Sequence, residues 1–115
     1  MAITAQAFTM YPVTDMERAV AFYRDVLGLP PGELASPVWV EFDVAGTTFG
    51  VGNFEQVGKP GSAQSLGLEV DDLAAFRTKL VGRGIDASEL HDLGNCWISV
   101  VRDPDGNQIW LHQRK

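Results

Sequence analysis

The chain has 115 residues, of which 45% are hydrophobic and 21% charged, so it can form one domain with a buried core and is too short for two ordinary domains. Its formal net charge is −6 and its nine Lys and Arg residues are scattered singly, which argues against nucleic acid as a partner. No apolar run approaches the roughly 18 to 20 residues needed to cross a bilayer, and the N-terminus does not resemble a secretion signal, so we expect a cytoplasmic protein with no membrane partner.

An amphipathic helix is predicted early in the chain, directly after a first strand. The residues of "AFTMYPVTD" alternate in polarity as those of a strand do. Helical spacing then begins, and its apolar stripe consists of Met16, Ala19, Val20, Tyr23, Val26 and Leu27. Thr14 or Asp15 can cap this helix at its N-terminus, and Gly28 followed by two prolines ends it.

Two β-rich runs follow the helix and complete the first half of the chain. Both lie in "PVWVEFDVAGTTFGVGNF", where Ala45 and Gly46 separate them and indicate a hairpin. A further short strand near residues 32–36 would make this half a β-α-β-β-β unit. Residues 52–64 are rich in Gly and polar side chains and are predicted to be a linker.

The second half repeats the pattern of the first. "SLGLEVDD" alternates like a strand, "DLAAFRTKLVGRG" has helical spacing, and "NCWISVVRDPDGNQIWLHQ" is a second hairpin whose "DPDG" turn sets the connection. We therefore expect an α+β protein forming a single domain over residues 1–115, with βαβββ modules at 4–54 and 64–113. A chance similarity of two βαββ segments would also produce this pattern.

The two halves align with an offset that grows along the chain. It is 57 residues at the two helix starts, 58 where Trp39 matches Trp97, and 60 where Gly50 matches Trp110. This alignment decides which side chains of the second half correspond to those of the first.

Three segments resemble one known family. "VTDMERAVAFYRDVLGL", the restart "LEVDDLAAF" and the closing "VRDPDGNQIWL" are similar to the vicinal oxygen chelate superfamily, which includes glyoxalase I, extradiol dioxygenases and bleomycin resistance proteins. The resemblance spans about residues 4 to 113. It implies the glyoxalase/bleomycin resistance fold, in which two modules form curved mixed sheets around a concave pocket. It also implies a homodimer, across which such pockets are often completed.

The resemblance identifies four positions at which catalytic members hold a divalent metal, one on each of four strands. These positions correspond here to Phe8, Gly50, Ser65 and Trp110. Phe, Gly and Trp offer no donor atom for Mg, Mn, Fe or Zn, and a neutral serine is a poor ligand. We therefore expect no metal, no cofactor and no catalytic residue, as in the metal-free bleomycin resistance proteins.

Strand alternation predicts which side chains line the pocket. Residues two apart on a strand share a face. If Phe8 and Trp110 point to the concave side, then Met10 lies there beside Phe8, and Gln108 and His112 lie there beside Trp110. The aligned hairpins add Trp39, Glu41, Trp97, Ser99 and Val101 by the same rule. The predicted ligand-binding residues are Phe8, Met10, Trp39, Glu41, Gly50, Ser65, Glu69, Trp97, Ser99, Gln108, Trp110 and His112.

The opposite faces of these hairpins are predicted to pack under the helices. Their residues are Val38, Val40, Phe42, Cys96, Ile98 and Val100. Cys96 is accordingly expected to be a buried, inert side chain. As the single cysteine it cannot form an internal disulfide, which fits a reducing compartment.

Several functions are compatible with these observations. The leading hypothesis is a metal-independent dimer that sequesters a flat aromatic or hydrophobic ligand, neutral or cationic, such as an antibiotic, with Glu41 or Glu69 as counter-ion. A glyoxalase-like lyase or isomerase, or a dioxygenase-related enzyme, would need an atypical metal site at His112 or a pocket carboxylate with a raised pKa. A cavity collapsed around Phe8 and Trp110, or a domain that acts through protein contacts, would also fit the sequence.

Overall fold

Two four-stranded sheets form the body of the protein, which the computed structural model describes over residues 2–115. The strands are β1 (Thr9–Pro12), β2 (Pro31–Ala35), β3 (Trp39–Val44), β4 (Thr47–Gly52), β5 (Leu66–Glu69), β6 (His91–Asp92), β7 (Cys96–Arg102) and β8 (Gln108–Arg114). The first sheet has the order β1-β4-β3-β2 and the second has the order β5-β8-β7-β6. In each, one pair is parallel (β1 with β4, β5 with β8) and the others are antiparallel. The predicted α+β class with two mixed sheets is confirmed.

One helix follows the first strand of each sheet. Helix α1 (Met16–Ala21) continues as a π-helical turn over Phe22–Val26, and helix α2 spans Leu73–Gly82. Asp15, not Thr14, caps α1 by accepting a hydrogen bond from the backbone N–H of Arg18. None of the helices within residues 2–115 is long and apolar enough to span a bilayer.

The core lies between the helices and one side of each sheet. Alternation along the strands explains its composition, because the residues that face the helices are the apolar ones. Its fully buried side chains include Tyr11, Tyr23, Phe42, Phe49, Val51, Leu73, Leu80, Val101, Ile109 and Leu111. The predicted extra strand of the first half is β2, and the predicted linker contains a 3₁₀ turn at Glu55–Val57.

The turn before β8 joins the two halves of the chain, in addition to setting its own hairpin. Asn107 is fully buried, and its side-chain NH₂ donates to the backbone oxygen of Pro12 at 2.7 Å and to Asp103 at 2.8 Å. Its side-chain oxygen accepts hydrogen bonds from the backbone N–H groups of Gly61 at 2.9 Å and Ala63 at 3.1 Å. The turn therefore fixes β1 and the connecting segment against β8.

Tyr11 makes a second connection between the halves. Its hydroxyl donates to the backbone oxygen of Gln108 at 2.6 Å and accepts from the backbone N–H of Leu66 at 2.7 Å. Burial raises the pKa of Tyr11, which keeps the hydroxyl protonated as the donor. The two sheets are thus held in a fixed relation, which positions the side chains on their uncovered sides.

Candidate ligand-binding site

The side of each sheet that faces away from the helices is uncovered; we call it the open face. On the first sheet it carries Met10, Glu41 and Gly50, which lie next to one another in the strand register and therefore share a side. The Trp39 ring lies directly over Gly50, so that a Cβ at position 50 would clash with it. The place where catalytic relatives would carry a metal ligand is therefore occupied by an indole ring.

An aromatic cluster of Phe8, Trp39 and Phe54 forms on this part of the open face. The ring centroid of Trp39 is 5.2 Å from that of Phe8 and 6.3 Å from that of Phe54. The indole N–H donates to Glu41 at 3.0 Å, which fixes the orientation of the ring. Phe8 is 45% exposed, so the cluster presents apolar surface to its surroundings.

Trp110 forms the wall of a separate depression on the second sheet. Directly opposite it in the register is Gly67, where the nearest atom to an added Cβ would be the backbone oxygen of Trp110, at an ordinary van der Waals distance of 3.9 Å. Trp110 is 40% exposed. We call this the Trp110 depression; it has a volume of about 430 Å³, and its lining includes Ser65, Gly67, Glu69, Trp110, His112 and Arg114.

One end of the Trp110 depression is polar. His112 Nδ1 lies 2.6 Å from one carboxylate oxygen of Glu69, and the backbone N–H of Arg114 donates to the other oxygen at 2.7 Å. The hydrogen bond from the backbone of Arg114 lowers the pKa of Glu69 below its ordinary value, and the bond to His112 lowers it further by a smaller amount. The enzyme hypothesis required a raised carboxylate pKa, and for Glu69 that expectation is wrong because the ionised form is the one that these bonds favour.

A second depression adjoins the first at the junction of the two sheets. Phe8 and Thr48 line it from the first sheet, and it shares Ser65 and Gly67 with the Trp110 depression. Of the four positions that correspond to metal ligands, Phe8, Ser65 and Trp110 thus border two adjoining depressions. Gly50 does not, because it is buried under Trp39.

The predicted orientation of β7 is wrong. Val100 is paired with Trp110 and Ile98 with His112, and directly opposed residues share a face. The open face of β7 therefore carries Val100 and Ile98, whereas Trp97, Ser99 and Val101 face α2. Ser99 is fully buried, and its hydroxyl donates to the backbone oxygen of Ser88 at 2.7 Å.

A one-residue error in the alignment of the halves explains this difference. Glu41 pairs with Gly50, and Val100 pairs with Trp110, so Glu41 corresponds to Val100 and not to Ser99. A shift of one residue moves every side chain of a strand to the other face. Cys96 is buried as predicted but shares the side of Arg114, not that of the helix.

The remaining predictions for the hairpin faces have mixed outcomes. Phe42 is buried under α1 and Val40 packs against the core, as predicted, but Val38 is 50% exposed. Gln108 is half-buried and shares the strand face of Trp110. Sequence reasoning missed Phe54 and Arg114. The small size of Gly67 predicts room in the cavity, and the pairing of strands β5 and β8 places this residue opposite Trp110.

A metal centre needs several donor side chains that converge on one point. Across the part of the chain that the structure describes, no group of three or more His, Cys, Asp or Glu side chains could hold an ion. Glu69 and His112 are in contact, but a two-residue site lacks the several convergent ligands that protein metal centres use. The residues present therefore do not fit the metal that catalytic relatives bind.

Comparisons with known proteins agree with this architecture. A family model described as the Glyoxalase/Bleomycin resistance protein/Dioxygenase superfamily matches residues 5–111. No curated protein matches the chain. Among solved structures, TnmS3, an antibiotic binding protein from Streptomyces sp. CB03234, is 29% identical with a TM-score of 0.87, over 100% of this chain and 99% of that chain.

Two further solved structures show how widely the fold is shared. A glyoxalase/bleomycin resistance protein from the same Streptomyces strain is 28% identical with a TM-score of 0.82, over 95% of this chain and 100% of that chain. Lactoylglutathione lyase from Agrobacterium tumefaciens is 21% identical with a TM-score of 0.81, over 97% of this chain and 95% of that chain. The last likeness concerns the fold alone.

Proposed function

The chain belongs to the glyoxalase/bleomycin resistance protein/dioxygenase superfamily, and we propose that within it the protein is a metal-independent binding protein that captures a flat aromatic or hydrophobic small molecule, such as an antibiotic. The observation that carries the proposal is the exposed ring of Trp110 opposite Gly67, which has no side chain and leaves the depression beside the ring unfilled. An aromatic wall beside an unfilled depression into which Ser65, Glu69, His112 and Arg114 bring polar groups can form a small-molecule site.

The residues at the metal positions support binding without catalysis. Phe8 and Trp110 have no ligand atom, and Trp39 fills the space above Gly50. The superfamily's metal-dependent reactions need an electrophile to stabilise developing negative charge, and these residues provide none. The antibiotic-binding relative, similar along its whole length, favours an antibiotic-like compound as the ligand.

A positively charged ligand that extends from the Trp110 depression to the aromatic cluster would have Glu41 as its counter-ion. Both oxygens of Glu69 are already engaged, by His112 and by the backbone of Arg114. Glu41 accepts one hydrogen bond, from Trp39, and lies beside the aromatic cluster, where the face of an indole ring also attracts a cation.

We further propose that the protein works as a homodimer in which a second copy covers the open face. Large apolar side chains on that face, including Met10 at 39% and Phe54 at 40% exposure, remain partly uncovered by residues 2–115. Exposed apolar patches of this kind mark interaction sites. Pairing would turn the shallow Trp110 depression into an enclosed pocket.

Calorimetric titration with simple aromatic probes tests the proposal. We expect 2-methoxynaphthalene, which is neutral, or 9-aminoacridine, which is cationic, to bind to untagged protein with one site per chain. Absence of binding by both probes would contradict it. Metal analysis of the same preparation is the independent control, because one tightly bound divalent ion per chain would overturn metal independence.

A further inference from the structure

We propose that Glu69 holds His112 in the tautomer whose second ring nitrogen accepts a hydrogen bond from a hydroxyl group on the bound aromatic ligand. The site would then select phenols over their methyl ethers. This inference rests on the proposed function and adds a ligand class to it.

The arrangement of the two side chains follows from the strand register. Glu69 on β5 lies opposite His112 on β8, so the two share the open face. The distance of 2.6 Å from Nδ1 to the carboxylate oxygen is that of a strong, charge-assisted hydrogen bond. Each side chain is partly exposed, His112 to 34% and Glu69 to 53%, so the pair is reachable from the depression.

The hydrogen bonds of Glu69 decide where the imidazole proton lies. The carboxylate accepts from the backbone N–H of Arg114 at 2.7 Å, and an ionised carboxylate can only accept. Nδ1 of His112 must therefore carry the hydrogen in the Glu69 contact. A neutral imidazole protonated at Nδ1 has its lone pair at Nε2, and Nε2 has no hydrogen-bond partner among residues 2–115.

The position of His112 relative to Trp110 defines what this lone pair meets. Both side chains line the Trp110 depression, and residues two apart on a strand are separated by about 6.6 Å along it. This separation is comparable to the length of a two-ring aromatic. A ring that stacks on Trp110 therefore brings a substituent at its edge to His112.

The charged groups around His112 favour a hydroxyl over an ammonium as the donor. Arg114 lines the depression with Glu69, while Lys115 and Cys96 line a neighbouring depression on the other side of His112. His91 on β6 is one strand further away, beyond Ile98. The Glu69 carboxylate and the Arg114 cation offset one another, so a neutral hydroxyl is the donor that needs no further counter-charge.

Paired probes measure the contribution of the hydroxyl. We expect the wild-type protein to bind 2-naphthol about tenfold more tightly than 2-methoxynaphthalene by calorimetry at pH 8, as one net hydrogen bond predicts. His112→Phe removes the acceptor and should bring this ratio close to one. His91→Gln, which changes a histidine outside the Trp110 depression, should leave the ratio unchanged.

The tautomer is tested without any ligand. Nitrogen-15 NMR of the wild-type imidazole of His112 should show the hydrogen on Nδ1, and Glu69→Gln should shift the population towards Nε2. A wild-type ring protonated at Nε2 would overturn the inference. Equal affinity of the wild-type protein for 2-naphthol and 2-methoxynaphthalene would also overturn the inference, but it would leave the proposed function intact. If neither naphthalene binds, the proposed function and the inference both fail.

Discussion

The hydroxyl of Tyr23 donates a 2.8 Å hydrogen bond to Asp103 inside the protein, where Tyr23 is fully buried and Asp103 is 4% exposed. The bond connects the π-helical turn of the first half to the turn before β8. Burial raises the pKa of Tyr23, and the nearby charge of Asp103 raises it further by a smaller amount. The phenol therefore remains protonated and continues to donate. Asp103 also accepts a hydrogen bond from the side-chain NH₂ of Asn107, which in turn donates to the backbone oxygen of Pro12 at the end of β1.

Tyr23→Phe should lower the free energy of unfolding by about 1 to 3 kcal/mol, since a buried carboxylate loses one of its donors. Urea denaturation measures the change. Ser62→Ala removes an exposed hydroxyl that donates to the backbone oxygen of Lys59, so it serves as the control and should cost less than about 0.5 kcal/mol. Equal effects of the two substitutions would mean that the Tyr23 bond contributes nothing beyond a surface contact.

Asn107→Ala should destabilise the protein more than Tyr23→Phe does, by about 3 to 5 kcal/mol. The change leaves the buried oxygen of Pro12 without its partner, which costs about 1 to 3 kcal/mol, and it also removes a donor to the buried Asp103 and the acceptor of the N–H groups of Gly61 and Ala63. Thermal and urea unfolding both report it. A loss below about 1 kcal/mol would show that water replaces the side chain at no cost.

Gly50→Ala and Gly67→Ala form a matched pair. The added methyl group at position 50 clashes with the Trp39 ring and should cost about 1 to 3 kcal/mol of stability, together with a changed tryptophan fluorescence. At position 67 the methyl group makes only an ordinary van der Waals contact, 3.9 Å from the backbone oxygen of Trp110, so stability should change by less than about 0.5 kcal/mol. Similar losses at both positions would contradict the packing of Trp39 over Gly50.

The acid dependence of stability should include a contribution from Glu69. Its pKa in the folded protein lies below the ordinary value of 4.5, so its contribution is fully present above the unfolded pKa and is lost as the pH falls through the folded pKa. The stability difference between wild type and Glu69→Gln should therefore shrink as the pH falls below about 4.5. Glu33→Gln at the surface is the control. A difference that stays constant from pH 6 to pH 3 would contradict the lowered pKa.

Much of the fold could be predicted from short-range signals in the sequence. Asp15 and Asp72 cap their helices through side-chain bonds to N–H groups three residues on, and Gly46 and Gly106 adopt the positive φ values that the hairpin turns require. These features depend on neighbouring residues, which the sequence displays directly.

The orientation of β7 and the role of Asn107 could not be predicted in the same way. The register of β7 decides which of its side chains lie on the open face, and an error of one residue in that register exchanges the two faces. The sequence of the turn between β7 and β8 does not indicate the register. Three partners of the Asn107 side chain, namely Pro12, Gly61 and Ala63, lie 44 to 95 residues away in sequence. The contact of Glu69 with His112 could have been found from the register of the parallel strands β5 and β8.

Binding at the Trp110 depression is the central claim, and calorimetric titration of wild type and Trp110→Ala with 2-methoxynaphthalene tests it most directly. Loss of the stacking ring should weaken binding about tenfold or more, as expected for an aromatic contact together with its buried area. Trp97→Phe alters a tryptophan on the helix-facing side and should leave the affinity unchanged. Equal affinities of wild type and Trp110→Ala would contradict the account.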